Sequence, residues 1–440
     1  MEGKLLSARW VVPVEPAGAV LEDHAVAVRD GVIEQVLPAP EAAERFADYE
    51  QVSLPDHVLI PGLVNAHTHA AMALMRGLGD DLPLERWLSE RMWPVERRHL
   101  SARLVRDGTA LACAEMLRGG VTCFNDMYFF PEAALEAALE AQMRVAVGLI
   151  VVDFATPYAS DPDDYLRKGL ALRDASREQP LASFCFAPHA PYTVSDDALR
   201  HVATLAAELD IPVHLHLHET EGEIERSLAE HGVRPLERLR RLGLLGPGLI
   251  AVHGVHLLPD EIEILARHGC SVVHCPSSNL KLASGIARVA EMLDLGVSVS
   301  LGADGAPCNN RLDMFTEMRA AALLQKVLRG SRALPALTAL RMATTAGARA
   351  LGLADRIGGV EAGKRADLQL INLDRLHTTP RSDPISTIVY AAEASDVETV
   401  IIDGKIVMRD GDLITLKEHD VIADARDQSQ QLCLRTSASN

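Results

Sequence analysis

Aromatic side chains are scarce in this chain: Phe, Trp and Tyr together make up 4% of its 440 residues. A core must therefore rest on Ala, Leu, Val and Ile, and the 48% hydrophobic content is ample for one. Basic charge is also short. Against 61 Asp and Glu stand only 43 Lys and Arg, a formal charge of −18. Nonspecific binding to nucleic acid or to an acidic membrane needs a basic patch, so neither partner is expected. A small anionic or neutral substrate is not excluded. No apolar run approaches the roughly 20 residues of a membrane span. The opening MEGKLLSARWVVPVEP places Pro and Glu where a signal peptide would be unbroken and apolar. Cysteine pairing is absent as well: Cys113, Cys123, Cys185, Cys270, Cys275, Cys308 and Cys433 form no CxxC. Those in TCF and SFCF sit inside apolar runs, where Cys acts as a small hydrophobe. Free thiols in a reducing, cytoplasmic location are the expectation.

What is present is an alternation. At this length one large domain plus a smaller one is the default. Residues 25 to 37, AVAVRDGVIEQVL, are two β-like runs around Asp30-Gly31, and the C-terminal TVIIDGKIVMRDGDLI repeats that grammar. Neither end has enough strands to hide an apolar face alone, so a small β-sandwich built jointly from both ends is expected. Between them, eight short apolar runs alternate with helical periodicity: VLIPGLV, VTCFND, RVAVGLIV, ASFCFAPH, IPVHLHLH, LIAVHG, SVVHCP and VSVSLGAD. Eight such units predict an α/β fold, a (β/α)8 TIM-like barrel rather than an open sheet. The expected division is 1–57 and 365–440 for the sandwich and 58–364 for the barrel. The polar tail after residue 420 is expected to fray.

Catalytic residues of such barrels gather at the C-terminal ends of the strands. There the sequence sets His67 and His69, His189, His214, His216 and His218 with Glu219, His253, His274, and Asp304. Each has an ordinary reading. His-x-His after a strand can be a metal pair or a hydrogen-bonded pair, and Asp304 in GADGAP can be a turn residue. His214 and His218 read as satisfied core histidines, His274 as structural. Taken together, two His from strand one, one from strand five and an Asp from strand eight make a nitrogen-rich site with one carboxylate. That donor set suits Zn²⁺, with Fe²⁺ possible, and leaves a position for water.

The motifs PGLVNAHTH, HLHET, VHGVHL, VVHCPSSNLKLASG and SLGADGAPCNN occur here in the order of the amidohydrolase superfamily. The chain resembles most closely its branch of 5'-methylthioadenosine/S-adenosylhomocysteine deaminases and the related chlorohydrolase-like enzymes. The resemblance implies one zinc ion held by His67, His69, His216 and Asp304, with Glu219 as proton shuttle. It also implies that His253 orients the attacking water and that the catalytic set is Glu219, His253 and Asp304. By the same resemblance Glu85, Trp87 and His189 join Glu219 in contacting substrate. Strand four, ASFCFAPHAPYT, has no lysine to bridge two metals, so the site is expected to be mononuclear.

The implied reaction is hydrolytic deamination of an adenine nucleoside. Between Val145 and Leu166 no Lys, Arg or His stands ready for a free carboxylate. 5'-Methylthioadenosine is therefore expected ahead of S-adenosylhomocysteine or adenosine. Two other readings stay open: a deaminase of guanine or an oxidised purine, or a chlorotriazine-type hydrolase; and a barrel without catalysis that serves as an assembly partner. A homo-oligomer, dimer or tetramer, is expected.

Overall fold

A computed structural model describes residues 3–437. Its two sheets have eight strands each. One is made by both chain ends and runs, from edge to edge, Asp412–Leu413, Lys405–Arg409, Val397–Ile402, Leu368–Asn372, Glu50–Pro61, Lys4–Val11, Leu21–Arg29 and Val32–Pro38. The N- and C-terminal halves meet where Leu368–Asn372 pairs antiparallel with Glu50–Pro61. The turns are where the Asp-Gly pairs placed them. Asp30 and Gly31 have φ of 51° and 78°, and the Asp403-Gly404 and Asp410-Gly411 pairs match them closely. Two successive positive φ angles give the turn whose twist suits a tight hairpin, and Asp-Gly reaches them with little strain.

The second sheet is the barrel. Its strands are Leu63–Thr68, Val121–Asp126, Arg144–Val151, Ala182–Pro188, Val213–Leu217, Leu249–His253, Ser271–His274 and Ser298–Leu301. They pair parallel in chain order. Helices and loops cover the outside while side chains fill the middle, so the strands are buried almost along their whole length. Strand eight returns to strand one where Asp304 N–H donates to His67 O at 3.0 Å. Gly302 makes that approach possible: a Cβ there would meet His67 Cβ at 2.9 Å.

At the opposite end of the barrel, Arg144 is buried and grips Asp367 with two hydrogen bonds, at 2.7 and 3.0 Å. Asp367 in turn accepts Asp403 N–H. The pair ties the barrel floor to the small sheet, because a buried guanidinium tolerates its site only with its partner in place. The tail expected to fray is instead the helix Glu418–Ser437. Its Ala425 and Leu432 are buried in a cluster with Met92, Val95 and Leu104, and Gln428 donates to Asp107 at 2.9 Å. A mostly polar sequence hid a narrow apolar stripe with one buried amide anchor. Six cysteines are free and buried, while the side chain of Cys433 lies outside the described residues. Among the described residues no helix is long and apolar enough to cross a membrane.

Candidate active site

The C-terminal mouth of the barrel gathers the histidines. Alternation along strand five turns His214 and His216 to the same side, and both are buried with His67 at the barrel centre. His69 follows strand one and opens the short helical segment Ala70–Met75. Asp304 stands just past strand eight and His253 ends strand six, with φ of 61° and 73°. Left-handed backbone at such residues costs on the order of 1–3 kcal/mol and persists where the surroundings hold it.

The ring nitrogens point consistently. His69 Nδ1–H donates to Met127 O at 2.6 Å, and His216 Nδ1–H to His189 O at 2.8 Å. His67 Nδ1 lies 3.0 Å from His214 Nε2. Each outward bond leaves the Nε2 atom facing inward, the arrangement of a metal-ligating imidazole. Inside, Asp304 Oδ1 lies 3.4 Å from both His67 Nε2 and His69 Nε2, and His216 Nε2 lies 3.2 Å from His67 Nε2. His67, His69 and Asp304 form one set with ligand atoms all within 4.8 Å, and His67, His216 and His253 form another. The two sets share His67, and together they offer the imidazoles and the one carboxylate that fit a zinc ion. Burial alone would raise the Asp304 pKa; the hydrogen bond and charge of His67, with His69 and His253, outweigh it and hold the carboxyl well below its usual range. Ser278 supports it by donating to Oδ2 at 2.6 Å.

Glu219 and His253 stand beside this cluster, with Glu219 Oε2 3.7 Å from His253 Nε2. Burial, with the charge of Asp304 adding, pushes the Glu219 carboxyl up to about 8. His253 is fixed by Asn279, whose Oδ1 lies 2.9 Å from Nδ1. Glu223 accepts the backbone N–H groups of both His218 and Glu219, which holds the strand-five exit in shape.

These groups open into a cavity of about 640 Å³. His69, His189, His216, Glu219, His253 and Asp304 line it, and Trp87 forms part of its outer wall. Glu85 is not among the lining residues. It is exposed beside Gly222, so close that a Cβ there would meet its Oε1 at 2.6 Å. His218 faces elsewhere: Nε2 accepts Leu236 N–H at 3.0 Å, and Nδ1 lies 3.2 Å from Arg234. It is a satisfied core histidine. His214 differs: its Nε2 meets His67 Nδ1, and its own Nδ1 has no partner among the described residues. Ser278, Asn279 and His214, which contact Asp304, His253 and His67, are not singled out for a role by the sequence, although VVHCPSSN carries the first two. Arg97 and Arg226, from outside the 145–166 segment, also line the cavity.

Residues 58–407 match the amidohydrolase family. The chain belongs to that family. It is 45% identical over 428 residues to a 5-methylthioadenosine/S-adenosylhomocysteine deaminase of Teredinibacter turnerae, covering 97% of each chain. It is 43% identical to a 5'-deoxyadenosine deaminase of Methanothermobacter thermautotrophicus, over 85% of this chain and 87% of the other. A crystal structure of an adenosine deaminase from Xanthomonas campestris with bound zinc superposes with a TM-score of 0.97, at 48% identity and 98% coverage of both chains. Within this amidohydrolase the inward-facing nitrogens and the single carboxylate are the natural place for such an ion.

Proposed function

We propose that this amidohydrolase hydrolytically deaminates an adenine nucleoside, with 5'-methylthioadenosine first and adenosine or S-adenosylhomocysteine as lesser substrates. One observation carries the reading: His67, His69 and Asp304 bring ligand atoms within 4.8 Å of one another, His67 joins His216 and His253 in a second such set, and the buried Glu219 carboxyl, raised to about 8, stands beside them. The names of the relatives in Teredinibacter, Methanothermobacter and Xanthomonas support the same substrate class.

His67, His69, His216 and Asp304 would hold zinc. A bound zinc ion supplies Lewis acidity, which makes water a competent nucleophile near neutral pH. The reaction forms a C–O bond and breaks a C–N bond at the amino-bearing purine carbon, releasing ammonia. Glu219 serves the proton transfers: it takes one proton from the attacking water and gives it to the ring nitrogen, and the second water proton then passes to the amino group, which leaves as ammonia. A buried carboxyl whose pKa is raised can both take up and release a proton, as such a shuttle needs. His253, held through Nδ1 by Asn279, offers Nε2 to orient the water. His189 and Trp87 form walls for the nucleoside, and Glu85, outside the lining but between Leu84 and Trp87 that belong to it, would receive ribose hydroxyls.

The preference for methylthioadenosine rests on the loop after strand three. It gives the cavity Phe154, Ala155, Thr156 and Pro157, with Asp153 as its one charge. An apolar thioether suits that wall better than a free carboxylate. Of the lining arginines, Arg238 is taken up by Asp196 and two backbone carbonyls, which leaves Arg97 and Arg226 to receive a carboxylate tail instead. Beyond substrate and water we read the protein as a cytoplasmic homo-oligomer. The exposed Leu323, Val327 and Leu328 on helix Met314–Arg329 are a surface such assembly would cover.

The test is ammonia release from a panel of the three nucleosides, free adenine, guanine and a chlorotriazine. Methylthioadenosine should show the highest kcat/KM. Comparable values for S-adenosylhomocysteine would overturn the preference. Turnover confined to free bases or triazines would overturn the nucleoside reading.

A further inference from the structure

We propose that His214 is a positioning residue for the metal centre, turning the His67 imidazole so that its Nε2 faces the ion. The inference rests on the reading of His67 as a metal ligand. A ligating imidazole needs a partner on its other nitrogen to fix its orientation and tautomer. His69 and His216 take theirs from the main chain, at Met127 O and His189 O. No substitution easily removes a carbonyl. His67 is different, because its Nδ1 partner is a side chain, His214 Nε2 at 3.0 Å.

The proton positions follow from this contact. For His67 Nε2 to present a lone pair, its proton must sit on Nδ1 and be donated. His214 Nε2 then accepts, which places the proton of His214 on its own Nδ1. That atom is buried and has no hydrogen-bond partner among the described residues. A buried donor without an acceptor works against folding, and an apolar residue of similar size would avoid the loss. The side chain is completely buried in the barrel interior, and the rings of His67 and His214 meet edge to face at 4.9 Å. Position 214 thus carries a buried imidazole whose one hydrogen-bond partner among the described residues is His67.

A role in packing and a role in positioning predict opposite results. His214→Leu removes the acceptor while keeping apolar volume; His214→Gln keeps an amide oxygen that can accept. Zinc affinity is measured by competition with a chelator, and thermal unfolding is followed with zinc loaded and zinc stripped. His214→Leu should bind zinc roughly 10- to 100-fold more weakly, the usual effect of losing such a partner. Its stripped form should unfold no lower than the stripped wild type. His214→Gln should recover most of the affinity. Zinc bound by His214→Leu as tightly as by wild type would overturn the proposal, as would equal weakening in His214→Gln. His216→Ala is measured beside them. Loss of zinc there with full retention in His214→Leu removes the positioning role alone; retention in both removes the ligand assignment and this role with it.

Discussion

Ser278 donates its hydroxyl proton to Asp304 Oδ2 at 2.6 Å, on the oxygen opposite the one that faces His67 and His69. With Gly305 N–H on Oδ1 at 2.7 Å, the bond fixes the carboxylate plane. Ser278→Ala leaves Oδ2 buried without that donor, at a cost of about 1–3 kcal/mol. The expected result is a kcat lowered by roughly 10- to 100-fold, the scale on which partners of metal ligands act. Steady-state kinetics and zinc content per chain check it. Unchanged kinetics would mean that the Gly305 N–H fixes the carboxylate without help from Ser278.

Glu219 and His216 should separate chemistry from metal binding. Glu219→Gln keeps shape and burial but cannot pass a proton, so zinc should remain while turnover falls by about 10²- to 10⁴-fold. His216→Ala removes an inward-facing nitrogen and should lose both. Metal analysis beside ammonia release distinguishes the two. A Glu219→Gln variant with wild-type turnover would remove the proton-shuttle assignment.

The barrel was legible because its strands are short, apolar and regularly spaced, and because the polar residues at their ends are the unusual ones. The Asp-Gly turns were legible because few residue pairs accept two positive φ angles. The helix Glu418–Ser437 was not. Its burial depends on a surface made by residues more than 300 positions earlier, such as Asp107. His214 escaped for a related reason. A histidine that supports another histidine has the same local sequence as one that merely fills space, and only the 3.0 Å contact with His67 tells them apart.

Glu85, next in sequence to the cavity-lining Leu84, offers a second test of the substrate. Its carboxylate lies beside Gly222, in the first turn of the helix that follows Glu219. If it receives ribose hydroxyls, Glu85→Ala should remove charged hydrogen bonds worth about 1.5–3 kcal/mol from nucleosides only. That is roughly a 10- to 100-fold fall in kcat/KM for methylthioadenosine, with free adenine nearly unaffected. Gly222→Ala should act in the same direction, since a Cβ there displaces the carboxylate. Equal losses for nucleoside and base would place Glu85 outside the binding site.

Glu317 ties the short helix Pro276–Lys281, which carries Ser278, to the helix Ala306–Asn309 just after Asp304. Oε2 accepts Ser277 N–H at 3.1 Å, and Oε1 accepts Asn309 Nδ2 at 2.9 Å. It is fully buried, and burial pushes its carboxyl from 4.5 up to about 7. The sign follows from proton counting. Between those values the folded chain keeps a proton that the unfolded chain has released, so stability falls as pH rises from about 4.5 to about 7. The shift corresponds to roughly 3 kcal/mol, fully expressed above pH 7 and absent below pH 4.5. Glu317→Gln has no charge to bury and should lack this contribution at every pH. Chemical denaturation of both proteins from pH 4.5 to 8 measures the difference. Wild type should lose ground to the variant up to about pH 7 and run parallel with it beyond. Parallel curves throughout would mean that Glu317 is already ionised in the folded chain, with its two donors offsetting its burial.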